Sequence, residues 1–155
     1  MAKMTMTTYL DNYLNKTIPD YEIALDWDTK NHTIEIIFRL YAENKEQIEI
    51  SDVDGVASDE IIEFEDGILL YDPKKSQFDA EDYLATIPYE GKKGLPENQL
   101  RGIVDYLKEV LDDGQSDLLD FLTSDAEVFE LTWNTEKYQS YIKGDANSYI
   151  PYPSY

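Results

Sequence analysis

His32 is the only histidine among 155 residues, and there is no cysteine. Any Ser-His-Asp or Cys-His chemistry would have to run through this one imidazole, because the nucleophile needs an adjacent base. His32 stands at the start of an expected strand with no partner signature around it. It reads as a strand-end histidine exposed to solvent, and no residue is assigned a catalytic role. Zinc would have to rely on carboxylates for nearly all its ligands, which zinc does not favour.

Carboxylates are abundant. Residues 52–66 hold seven acidic side chains and no basic one. Asp52-Val53-Asp54-Gly55 has the spacing of part of an EF-hand loop. Setting Gly55 at the required glycine places Asp52 and Asp54 correctly, but puts Ile50 at the first ligand position and Ile61 at the last, where Glu is needed. Strands are expected around it where an EF-hand has helices, so that reading is rejected. Two readings remain: a looser Ca²⁺ or Mg²⁺ site drawn from Asp52, Asp54, Asp59 and Glu60, and a solvated acidic loop that blunts a sheet edge. Carboxylate pairs suited to glycosidase or nuclease work carry no information in so acidic a chain. Pro19-Asp20 with Glu43-Asn44-Lys45 has the residue types of a metal-dependent nuclease core, on a surface that would repel a phosphate backbone.

The one basic island is Gly91-Lys92-Lys93-Gly94, just ahead of an expected helix. Lys92 and Lys93, with backbone N–H groups at a helix start, could hold a phosphate or carboxylate. The island lacks the Walker and dinucleotide glycine spacings, and a solvated connection is the plainer reading. No motif for a cofactor is present, so none is expected.

The chain carries 33 Asp and Glu against 13 Lys and Arg, a net charge of −20. The charge is woven through alternating apolar and polar segments, which describes a folded domain with an anionic surface. It argues against nucleic acid and anionic membrane as partners and in favour of a basic protein. Hydrophobic content of 42% and aromatic content of 13% suffice for a core, unlike a disordered acidic chain. The N-terminus lacks the apolar run of a signal peptide and no stretch approaches a membrane span, so the cytoplasm is the expected location.

Leu10, Tyr13 and Leu14 give residues 7–17 a helical stripe, ended by Ile18-Pro19. Tyr21, Ile23, Leu25 and Trp27 alternate as a strand. After turn residues 28–31, Ile34, Ile36, Phe38 and Leu40 form the second arm of a hairpin. A short strand is expected over 47–50. Asp66-Gly67, between Ile62/Phe64 and Ile68/Leu70, has the composition of a hairpin turn, and Asp72-Pro73 closes its second arm. Residues 83–89 could add a strand, with Pro88 at an edge or exit. Pro96 suits the first turn of a helix whose stripe runs from Leu100 to Leu111, with Gly114 as its C-cap and a second helical segment restarting at Ser116 or Asp117. Phe129, Leu131 and Trp133 alternate as a last strand, and Asn134 or Thr135 caps a short helix. The segment 149–155, rich in Tyr and Pro, reads as extended and loosely held, with docking into a groove as the alternative. Nine acidic residues lie between Asp105 and Glu130 with only Lys108 against them. Asp112 and Asp113 would oppose the dipole of a helix ending there.

Several stretches together resemble a family of small acidic proteins from Gram-positive bacteria known as a domain of unknown function. They are Glu63-Phe64-Glu65-Asp66 with Leu70-Tyr71-Asp72-Pro73, Glu90-Gly91-Lys92-Lys93-Gly94-Leu95, the run from Asp112 to Leu122, and Phe129-Glu130-Leu131-Thr132-Trp133. The resemblance covers nearly the whole chain except the tail. It implies a bacterial cytoplasmic setting and no catalytic residue.

The expected architecture is α+β: an antiparallel sheet of about five to seven strands, a long helix over about 97–113 on one face, and short helices at both ends. Residues 1–146 form the domain and 147–155 the tail. The expected function is that of a non-catalytic acidic binding or adaptor protein, acting through the open sheet face or the acidic helix. The rivals are a nucleic-acid mimic that occupies a basic protein and a carboxylate-based divalent-metal enzyme.

Overall fold

A computed structural model describes residues 4–43, 61–121, 130–144 and 148–153. Helix α1 (Met6–Thr17) starts where the Thr5 hydroxyl accepts a hydrogen bond from the Thr8 amide, and buries Met6, Leu10 and Leu14. Strands β1 (Glu22–Asp28) and β2 (Thr33–Glu43) form the expected hairpin, in register from Glu22 opposite Arg39 to Asp28 opposite Thr33. Strand β3 (Ile61–Tyr71) pairs antiparallel with β2 along its whole length, and β4 (Ala85–Pro88) pairs with the end of β3 in parallel. The sheet order is β1-β2-β3-β4, which puts Pro88 in an edge strand as expected. Helix α2 (Glu97–Phe121) lies across one face, followed by α3 (Thr135–Ser140). Strands β5 (Leu95–Pro96) and β6 (Tyr149–Ile150) make a separate two-stranded ladder. Ile34, Ile36, Phe38 and Leu40 of β2 meet Leu100, Ile103, Leu107 and Leu111 of α2 in one buried cluster.

The fold class is α+β, but the main sheet is mixed and holds four strands among the described residues. Several local expectations are corrected with it. Asp66-Gly67 is no hairpin turn. Such a turn needs positive φ, which Gly67 lacks, and the ladder to β2 passes through Phe38 opposite Asp66 and Ile37 opposite Gly67 without a break. At Gly67 the Glu35 carboxylate lies where a side chain would stand. The long helix does not stop at 113 or restart at Ser116; it runs unbroken through Gly114 to Phe121. Pro96 sits one residue before that helix, in β5. Residues 130–134 have no regular secondary structure and join no ladder, and Phe129 and the expected strand at 47–50 lie outside the described residues. His32 is half-buried, in a positive-φ turn conformation (φ 56°), with its carbonyl accepting from the Tyr89 hydroxyl at 2.6 Å and the Ser76 hydroxyl at 3.1 Å.

The tail shows the largest difference. Its described residues, 148–153, are docked rather than loose: Ile150 and Tyr152 are buried, and Tyr152 stacks on Tyr89 with ring centroids 5.0 Å apart. A Pro-rich sequence offers few ladder donors, so nothing in its local pattern announces a strand. Its burial comes from aromatic contacts with distant parts of the chain.

Three tyrosines tie the N-terminal part of the chain to α2, two from α1 and one from just before β1. Tyr9 donates to Glu97, Tyr13 to Asp105 at 2.7 Å, and Tyr21 to Asp112 at 2.7 Å. Burial, then the bond to Glu97, pushes the Tyr9 hydroxyl up to about 12, so it remains a donor at neutral pH.

On the open sheet face, Arg39 bridges Glu22 at 3.2 Å, Glu63 at 3.3 Å and Glu65 at 2.6 Å across three strands. Burial, then the carboxylates of Asp26, Glu65 and Asp66, holds Glu35 above the ordinary carboxylate range. Folding thus raises its proton affinity. Ionised Glu35 weakens the fold at pH 7, and that penalty fades as pH falls through its raised pKa toward the unfolded value. Glu35→Gln is expected to stabilise the protein at pH 7, by at most about 1 kcal/mol for a group that is only half-buried. The gain should shrink as pH approaches the ordinary carboxylate range; urea titrations at a series of pH values check this.

Candidate functional site

Gly114 sets the geometry of the most distinctive concavity. A Cβ there would collide with the Leu131 methyl Cδ2 and stand 3.2 Å from Leu40 Cδ1. Without one, segment 130–134 lies close along α2. The Asn134 amide donates to the Tyr106 hydroxyl at 2.9 Å, and the Asn134 side chain caps α3 by accepting from the Lys137 amide at 3.1 Å. Between α2 and this segment runs a groove of about 260 Å³, with Val110 and Leu131 among its apolar lining and Glu109, Asp113, Asp117 and Glu130 as its acids.

Spacing explains the acidic wall. Glu109, Asp113 and Asp117 are four residues apart, so they stack on one side of the helix about 6 Å apart along its axis. Only the first is neutralised. Lys137 lies 2.7 Å from Glu109 and the Tyr141 hydroxyl donates to it at 2.9 Å. These two bonds, Lys137 first, hold its carboxyl below the usual range. Asp113, Asp117 and Glu130 have no ion-pair or hydrogen-bond partner among the described residues. No three acidic or histidine side chains among the described residues lie close enough together to hold a metal ion. The groove therefore offers three dispersed carboxylates in a mixed lining that includes Val110 and Leu131, with Lys137 already taken up by Glu109, which suits a cationic side chain with an aliphatic stem.

Like charges at this spacing disfavour the helix, each pair by roughly 0.2–0.5 kcal/mol. Glu109 is already paired with Lys137, so Asp113→Asn removes one uncompensated pair, that with Asp117, and is expected to stabilise the protein by about 0.2–0.5 kcal/mol at low salt. The gain should diminish in high salt, as chemical denaturation at two ionic strengths would read.

The other sequence candidates fall elsewhere. Asp52, Asp54, Asp59 and Glu60 lie outside the described residues. Lys92 and Lys93 are exposed in a 3₁₀ turn over Gly91–Lys93. The Lys93 and Gly94 amides are used within that turn, donating to Glu90 and Gly91, and the Lys93 ammonium stands 4.0 Å over the Tyr149 ring. The paired wall of α2 and segment 130–137 was missed as a groove. Its signal was the run Glu109, Asp113, Asp117 at helical spacing, hidden by ending the helix at Gly114.

No helix among the described residues is long and apolar enough to cross a membrane. The whole is an α+β domain with one long helix laid on a mixed sheet and an acidic groove along that helix. The chain matches, over residues 1–154, the family described as "Protein of unknown function (DUF3013)", and it belongs to that family. It is similar to a conserved protein of unknown function from Enterococcus faecalis, known from a crystal structure. The identity is 55% and the TM-score 0.87, over 99% of this chain and 98% of that one. The search of curated proteins finds no match. The family and its Gram-positive relative agree with the resemblance carried by the stretches above. Two of those stretches contribute to the groove, the first through Asp113, Gly114 and Asp117 and the second through Glu130, Leu131 and Thr132.

Proposed function

We propose that this is a non-catalytic cytoplasmic binding protein that takes a basic protein partner along the acidic side of α2. One observation carries the reading. Asp113, Asp117 and Glu130 line a groove whose one cation among the described residues, Lys137, is already paired with Glu109, although the spacing of Asp113 and Asp117 works against the helix that bears them. Unneutralised like charges that lower stability are explained by a cationic ligand that relieves them. A partner's Lys or Arg would lay its aliphatic stem on Val110 and Leu131 and its charge among the three carboxylates.

A nucleic-acid mimic is less well supported. The wall presents one carboxylate per roughly 6 Å of helix axis, whereas one DNA strand presents a phosphate per roughly 3.4 Å. A protein that grips DNA would meet about half the linear charge it is built for. The readings separate by competition. A partner bound here is expected to survive excess duplex DNA while weakening with salt. Displacement by DNA at constant ionic strength would support mimicry and overturn this reading.

A further inference from the structure

Residues 148–153 do more than fill a groove. The Ser148 carbonyl accepts the Glu97 amide at 2.9 Å, satisfying the first N–H of α2. The Pro151 carbonyl accepts the Met6 amide at 2.9 Å, doing the same for α1. The Tyr152 amide donates to the Lys92 carbonyl at 3.3 Å. The Trp27 indole N–H donates to the Tyr152 hydroxyl at 2.7 Å, which ties the strap to the β1 end of the hairpin. One short segment thus joins the starts of both main helices, the 91–94 turn and the β1–β2 corner. Helix starts leave N–H groups without intrahelical partners, so a strap that supplies their acceptors affects both at once.

The attachment is compact yet narrow. The ladder to β5 is two residues long, and Pro151 and Pro153 contribute no N–H. Gly94 makes the close approach workable: it sits at φ 76°, and a Cβ there would collide with the Ile150 carbonyl oxygen and stand 3.0 Å from the Pro151 carbonyl carbon. The four-stranded sheet, by contrast, takes none of its ladder bonds from the strap. Terminal segments with few backbone bonds open below the free energy of global unfolding.

We propose that residues 148–153 form a latch that opens as one unit with the start of α1 and the Trp27–Tyr152 contact, while the four-stranded sheet stays folded. It is a conformational device independent of the binding role of α2. Anything that takes hold of the C-terminal segment also frees the first turn of α1 and the aromatic slot of Trp27 and Tyr89.

Native-state hydrogen exchange on the full chain tests this, read by NMR at the Met6, Glu97 and Tyr152 amides and the Trp27 indole. The four are expected to exchange together, with a common denaturant dependence smaller than that of the β2 amides. Their exchange should be about 100-fold or more faster than that of the amides of β2 opposite β3, the behaviour of a sub-global unit. Gly94→Ala should speed those four by at least about tenfold, the β2 amides following only as far as global stability falls, so that the four still exchange well ahead of them. Trp27→Phe, which touches no backbone contact, should speed Met6, Glu97 and Tyr152 in the same way, and serves if Gly94→Ala does not fold. Exchange of the four only with the β2 amides, rising with denaturant in parallel, would overturn the latch. So would four unrelated rates.

Discussion

Tyr152→Ala is expected to lower stability by about 3–5 kcal/mol, the range for removing a large buried aromatic side chain. The ring is 4% exposed, stacks on Tyr89 with an interplanar angle of 14°, and meets Trp27 edge-on at 6.1 Å. Its loss would empty a slot between parts of the chain far apart in sequence, and undo the bonds that start both main helices. Tyr152→Phe keeps the ring and loses only the hydroxyl, so it should cost about 0.5–1.5 kcal/mol. The Trp27 indole, with the residue 37% exposed, can then turn to water. Urea denaturation of the two variants beside the parent protein measures both. A loss under about 1 kcal/mol for the alanine variant would mean the tail is not held by this ring.

Gly114 should respond to side-chain size in a way that distinguishes its two roles. As a C-cap with positive φ it would resist even alanine. As an interior helical residue, alanine gains about 1 kcal/mol of helix propensity. That gain is set against displacing Leu131 Cδ2, the mobile end of a half-buried side chain. Gly114→Ala is therefore expected near neutral. Gly114→Val cannot be accommodated by turning one methyl, because Leu40 stands on the other side. Overpacking of this kind costs typically about 1–3 kcal/mol, and it should push segment 130–134 off α2 and abolish binding in the groove. Thermal and urea unfolding of the two variants reads the contrast. A large loss for alanine would mean that Leu131 cannot yield.

These two positions mark the limit of what the sequence discloses. Periodicity was informative where one face of an element meets the core. The stripe of α1, the β1–β2 hairpin and the first four turns of α2 all follow from it, as does the Asn134 cap. Glycine misled twice, because the same residue serves positive φ and close approach. Gly67 and Gly114 both have ordinary φ and are small to admit a neighbour, Glu35 in one case and Leu131 in the other. Neither neighbour is adjacent in sequence, so no local pattern reports it. Extending α2 to Phe121 brings Asp113 and Asp117 onto one wall with Glu109, and that wall becomes half of a groove only once Leu131 is placed beside Gly114. The tail was opaque for the same reason: its partners Trp27, Tyr89 and Lys92 are 60 or more residues away.

The sharpest test of α2 as a binding surface is affinity capture with the parent chain beside the triple variant Asp113→Asn, Asp117→Asn, Glu130→Gln, from the same lysate at low salt with excess duplex DNA. The three substitutions keep side-chain shape and remove only charge, and the first is expected to stabilise the fold. A basic protein retained by the parent chain and lost from the triple variant is the expected result. Equal retention by both would contradict it, and would place any partner on a surface other than this groove.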